Sequence, residues 1–243
     1  MRRIQTNRGF TLIELVIIIV ILGILASVAT MKFSESTETA KIEATKSELL
    51  SLSFAIAGNP EIFTNGARAD FGYVGDIGAL PPNLNALATN PGLGTWDGPY
   101  IKGDFQSGDF ANDAWNTPFI LAGTTIRSTG AGTDIETEFA SSTGELLNNS
   151  VSGYILDASM QMPGTTFDDS LIVNLIYPDG SGGTTAGSIT PDKGGNFSFS
   201  SIPVGNHKLQ VIFIPDSDTM SYIVCVEPNS SISMEILFPH DLW

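Results

Sequence analysis

One carboxylate, Glu14, stands inside a run that is otherwise almost wholly apolar, from Phe10 to Met31. A carboxylate in a membrane-spanning helix costs several kcal/mol, about 2.5–3.5 on insertion scales, so it needs an opposing charge. The helix carrying Glu14 supplies none once Arg2, Arg3 and Arg8 are left outside the apolar run. If the chain is cut after Gly9, the new amine of Phe10 becomes a cation at the depth of Glu14, and a second copy can present it. Such a pair sets register between copies rather than adding much stability. The other reactive groups form no constellation. His207 and His240 lie far apart in sequence, Cys225 is the single cysteine, and Asp168-Asp169 and Asp216-Ser217-Asp218 read as solvated turns. The run Ser221–Val226 alternates like a strand, which predicts a buried, inert Cys225 thiol. No glycine-rich phosphate loop and no Gly-x-Ser-x-Gly elbow occurs. The chain therefore reads as a non-enzyme that requires no cofactor.

The element that must carry Glu14 is a helix. Phe10 to Met31 has the roughly 20 residues that span a bilayer, and the arginines on its N-terminal side keep that end in the cytoplasm. The rest is then exported. Net charge is −15, with 26 acidic and 11 basic residues, which argues against nucleic acid or acidic lipid surfaces as principal partners. Further along, Ile42, Leu49, Leu52 and Ile56 recur on one helical face, and Gly58-Asn59-Pro60 ends the pattern. The spacing predicts one helix over 10–57, with its membrane part at about 10–33, roughly 70 Å long. The alternative is two helices broken near Lys32–Ser36.

Beyond the helix, residues 58–147 are rich in glycine, proline and aromatics, with a short helix expected after Pro81-Pro82 through Leu84 and Leu87. Trp96, Tyr100, Trp115 and Phe119 are expected to clamp this loop to the helix. Residues 148–243 read as a β-sandwich, with alternating runs at Val151–Leu156, Leu171–Tyr177, Asn196–Ser200, Lys208–Ile214, Tyr222–Val226 and Ile232–Phe238. The fold class is α+β: a long N-terminal membrane-spanning helix packed on a small antiparallel sheet domain, then an all-β sandwich domain.

Arg8-Gly9-Phe10-Thr11-Leu12-Ile13-Glu14-Leu15 resembles the leader junction of type IV pilins and type II secretion pseudopilins. The resemblance implies a leader at 1–9, removed after Gly9 by prepilin peptidase, methylation of the Phe10 amine, and assembly guided by Glu14. It also implies other copies, other pilins or pseudopilins and a membrane assembly platform as partners. The implied location is the bacterial inner membrane, single-pass with the N-terminus inside, and later a periplasmic or extracellular filament. Two other readings of the segment stay open: a secretory signal cut after Ser27-Val28-Ala29, or a plain anchor.

Met31 stands where many members of that family carry proline, so a kink there is not expected. Thr89-Asn90-Pro91-Gly92, Trp96–Tyr100 and Asp113–Phe119 resemble the major pseudopilin, whose relatives bind calcium in a loop after the second strand. That loop corresponds here to Ser128–Asp134, with Asp134 as the candidate ligand and an ordinary glycine turn as the competing reading. Thr190–Phe199 and Ile202–Leu209 resemble the carboxypeptidase regulatory-like (prealbumin-like) sandwich module. The function implied is a structural filament subunit of a type II secretion pseudopilus or type IV pilus. The alternative is a minor, adhesive pilin whose sandwich binds a carbohydrate or protein.

Overall fold

The computed structural model describes residues 10–101 and 110–243. The chain divides into two units, residues up to Ala44 and Thr45–Trp243. Helix α1, Leu12–Ala57, supplies the described part of the first unit and continues into the second. It runs unbroken through Met31 and through Lys32–Ser36, so a pair of helices is not what forms. Its apolar side chains from Leu12 to Met31 are exposed on every side. A helix that is apolar all round is stable only where lipid or other helices replace water. Ser27 and Thr30 turn their hydroxyls back onto the carbonyls of Ile24 and Ser27 at 2.8 and 2.9 Å, so both hydroxyl protons are satisfied within the helix.

In the second unit the last turns of α1 bury Leu49, Leu52 and Ile56, three of the four positions on the expected face. The helix stops at Gly58, whose φ of +79° closes the terminus while its N–H reaches the Phe54 carbonyl at 2.8 Å. A side chain at Gly58 would collide with the Asp70 carbonyl, so glycine is required twice over. Strands β1 (Phe63–Thr64) and β2 (Ala67–Arg68) follow, joined by Asn65-Gly66 with φ of +54° and +82°. Asn-Gly favours the two-residue hairpin turn because both positions need positive φ.

Next come helix α2 (Gly72–Ile77), which no periodicity in the sequence signals, and a 3-10 turn at Leu84–Leu87, in place of the short helix expected there. Strands β3 (Ile120–Ala122), β4 (Thr125–Ser128) and β5 (Ile135–Glu138) form a small antiparallel sheet in that order. Helix α3 (Thr143–Leu147), with Ser142 at its N-cap, delivers the chain to β6 (Asn149–Leu156).

The remaining elements are α4 (Gly164–Phe167), a 3-10 turn at Asp168–Ser170, β7 (Leu171–Pro178), β8 (Thr184–Ile189), β9 (Phe197–Ile202), β10 (Gly205–Phe213), β11 (Asp218–Val226) and β12 (Ser231–Leu237). They make a four-stranded sheet, β11-β10-β7-β8, and a three-stranded sheet, β12-β6-β9. Every pairing here is antiparallel except β12 with β6, which is parallel. Leu209, Val211 and Phe213 on the buried face of β10 share one core with Val151, Phe197, Phe199 and Ile236 of the three-stranded sheet. A long apolar helix followed by mainly β structure makes the class α+β, as the sequence predicts.

Two apolar cores result. The first gathers Leu49, Leu52, Ile56, Tyr73, Val74, Leu87, Phe119, Ile126 and Leu146. The second gathers Val151, Val173, Leu175, Phe197, Leu209 and Ile236. Val204, from the turn before β10, belongs to the first core, and its N–H reaches the Leu146 carbonyl at 2.8 Å.

Candidate assembly site on the N-terminal helix

The first turn of α1 is built as a capping box. The Glu14 N–H donates to Thr11 Oγ1 at 3.3 Å, and the Thr11 N–H donates back to Glu14 Oε2 at 3.5 Å. Thr-x-x-Glu is the sequence signature of that motif. Glu14 thus has a local, neutral partner where none was expected, though the longer bond sits at the limit of hydrogen-bond reach. Among the described residues no lysine or arginine forms an ion pair with it. Phe10, one residue ahead of the cap, is 70% exposed, so an amine at this position is open to a second molecule. Gly9, Arg2, Arg3 and Arg8 lie outside the described residues.

Asp134 sits after the turn that follows β4, and its carboxylate accepts from the Arg127 guanidinium at 2.9 Å. The neighbouring buried acid is Asp113. Its Oδ1 accepts from the Trp115 and Thr117 N–H groups at 2.9 and 2.8 Å, and its Oδ2 from Ser128 Oγ and the Gly130 N–H at 2.6 and 3.1 Å. Four donors satisfy that carboxylate, and a guanidinium holds the other. Calcium needs six to eight oxygens, and among the described residues no group of three or more His, Cys, Asp or Glu side chains converges. Among the described residues, Asp134 and Asp113 are thus committed to protein donors and gather no further acids about a cation.

Trp96 and Tyr100 clamp onto the 3-10 turn and α2, while Phe119 joins Leu49, Leu52 and Ile56 of α1 in the first core and the Ala114 N–H reaches Thr45 Oγ1 at 3.3 Å. Trp96 Nε1 donates to the Ala86 carbonyl at 2.8 Å, and Tyr100 packs edge-on against both Trp96 and Tyr73. Tyr100 Oη donates to Asp76 Oδ2 at 2.8 Å. Burial raises the pKa of both groups, and Asp97 and Asp70 raise that of Asp76 further.

Arg68, which no motif in the sequence singles out, holds the C-terminus of α1. Its Nη2 donates to the carbonyls of Ala57 and Gly58 at 2.6 and 3.1 Å, its Nε to the Asp70 carbonyl at 2.8 Å, and its guanidinium lies 4.6 Å from the Phe71 ring centre. Burial lowers its pKa, against the pull of Asp70, Glu227 and Cys225. Asn206 Nδ2 and Cys225 Sγ both reach the Arg68 carbonyl, at 3.2 and 3.7 Å. Cys225 is half-buried rather than buried, and desolvation with Glu227 pushes its thiol pKa up, which suits an unreactive side chain. Asn65-Gly66 was the available signal: a tight hairpin there must return its second strand, with Arg68, to the helix end.

The model of the prokaryotic N-terminal methylation motif matches residues 4–30. Over those residues the chain is similar to proteins of the prepilin type. That match spans Phe10, the capping box and the apolar run, the features that needed a second molecule or a lipid phase. No curated protein matches the chain. Among solved structures, a Bacillus anthracis TIE protein overlaps 43% of this chain and 18% of its own, at 12% identity and a TM-score of 0.31. The dioxygenase domain of a carbohydrate-binding fusion protein from Streptomyces sp. SirexAA-E overlaps 42% and 86%, at 10% identity and 0.31. The major pilin subunit of Bacillus cereus, BcpA, overlaps 50% and 41%, at 12% identity and 0.24. Overlaps this slight bear on neither fold nor function.

Proposed function

We propose that the chain is a structural, non-enzymatic subunit that assembles through α1 into a pseudopilus or type IV pilus-like filament. The observation that carries this is Glu14: an acid in an apolar helix, inside a matched methylation motif, without a cation from the described residues of its own chain. A neighbouring copy's Phe10 amine supplies that charge once prepilin peptidase has cut after Gly9. The all-round apolar surface of α1 lies in the inner membrane before assembly and against other helices after it. An assembly platform in the membrane moves the subunit from one state to the other, alone or with other pilins.

On the sandwich, the exposed large side chains Met160, Met162, Ile214, Ile223 and Leu237 are not aromatic, and the one exposed tyrosine, Tyr154, bonds Glu235 through its hydroxyl. That favours a scaffold over a sugar-binding platform.

The test is Glu14→Ala in the full chain, with mass measurement of the mature N-terminus. The wild type should begin at methylated Phe10 and be recovered in sheared filaments. The variant leaves the partner's amine unpaired in an apolar setting, a loss of about 3–5 kcal/mol, and should stay in the membrane fraction. A variant that still polymerises, or a mature chain that begins elsewhere, overturns the reading.

A further inference from the structure

The parallel pair β6–β12 joins the first and last strands of the sandwich, with seven residues in register from Ser231↔Ser150 to Leu237↔Leu156. It is also laced by side chains along its whole length. At its start the Ser230 N–H donates to Asn149 Oδ1 at 2.8 Å, and Ser150 Oγ donates to Ser231 Oγ at 2.9 Å. Midway, Ser152 Oγ donates to the Ile232 carbonyl at 3.0 Å, and Tyr154 Oη donates to Glu235 Oε2 at 2.5 Å. Past its end the Phe238 N–H reaches the Leu156 carbonyl at 2.9 Å, and Ser159 Oγ reaches Asp241 Oδ1 at 2.7 Å. The antiparallel β10–β11 pair is longer, at nine residues, yet the side-chain bond across it is the single long one from Gln210 Nε2 to Ser221 Oγ, 3.5 Å.

Because β6 and β12 run the same way, the chain enters β6 at one end of the ladder and leaves β12 at the other. Tension between those points slides the strands along each other, and every rung resists at once. In an antiparallel hairpin pulled at its open end, each rung fails alone, and the rupture force is that of one rung. β6 is also the central strand of its sheet, held on its other side by β9.

We propose that the sandwich is a tension-bearing module in which β6 and β12 form a shear clamp. Tension that enters before Asn149 and leaves after Leu237 is carried by the ladder and its serine and tyrosine rungs. The ladder belongs to the sandwich alone, so the clamp stands or falls apart from the reading of α1 as an assembly helix.

The experiment is single-molecule pulling on the full chain in detergent micelles, in a Cys225→Ser background. Handles at Asn148→Cys and His240→Cys load the β6–β12 ladder in shear. Handles at Lys208→Cys and Ile223→Cys, which face each other across β10–β11, separate that ladder rung by rung. Forced rupture reports the barrier to unfolding along the loaded direction, and the shear geometry should need about twofold more force or better. Ser150→Ala with Tyr154→Phe should lower the force between 148 and 240 while leaving that between 208 and 223 unchanged. A shear force no higher than the peeling force, or rung removal that lowers both alike, overturns the clamp.

Discussion

Asp113 and His207 show how single buried polar groups fix the second unit. Asp113 offers only acceptors to four donors, and Asn would turn an N–H₂ toward two of them. Asp113→Asn should cost about 2–3 kcal/mol, the scale of unsatisfied buried donors, read as a lower urea midpoint at unchanged slope in detergent-solubilised full chain. His207 is buried on β10, with Nε2 2.7 Å from the Pro203 carbonyl and its ring edge-on to Tyr177. Burial lowers its pKa below the ordinary value of 6.5, against the Pro203 contact, which raises it. The folded-state pKa is the lower one, so as pH falls through about 6.5 the unfolded chain takes up a proton that the folded chain refuses. Stability should therefore fall with pH from that point until the folded pKa is passed. His207→Gln, which keeps a donor for Pro203, should flatten the slope between about pH 7 and 5 in denaturation midpoints. An equal slope in both proteins would refute the assignment.

At the scale of elements, the end of α1 depends on one side chain from β2. Arg68→Met leaves the carbonyls of Ala57, Gly58 and Asp70 without their donor and should destabilise the unit by about 3 kcal/mol. Arg68→Lys should recover only part of this, because an ammonium cannot span the same fork; thermal denaturation of the three proteins side by side is the check. What was legible in the sequence follows from periodicity. The α1 pattern and six of the sandwich strands were readable because each carries a buried face with a clear repeat. β8 was not, since Thr184-Thr185-Ala186-Gly187-Ser188-Ile189 has small, mostly exposed side chains and takes its conformation from its neighbour β7. α2 was missed because Gly72-Tyr73-Val74-Gly75-Asp76-Ile77 has two glycines in six residues and is held by burial of Tyr73, Val74 and Ile77. The parallel pairing of β12 depends on contacts about 80 residues apart, which no local pattern encodes. For the candidate site the position of Glu14 was legible. Its bond to Thr11 is also local, and the Thr-x-x-Glu spacing could have revealed it. The Arg127 pairing of Asp134 depended on how the loop after β4 closes.

For the molecule as a whole, β8 has the most lasting consequence. It closes the four-stranded sheet at one side, paired with β7 only, and it carries no charge, no proline and a single large side chain, Ile189. Strand edges of that kind pair with one another unless something keeps them apart. Here the guard is remote: the surplus of acid, −15 over the chain, sets the exposed edges of neighbouring copies against each other. Raising salt from about 0.01 to 1 M shortens the reach of that repulsion from about 30 to 3 Å. Light scattering of the solubilised chain should then grow with salt, and Ala186→Lys should suppress the growth. Fibres of such subunits would stay separate threads in dilute surroundings and gather side by side into cables in brine.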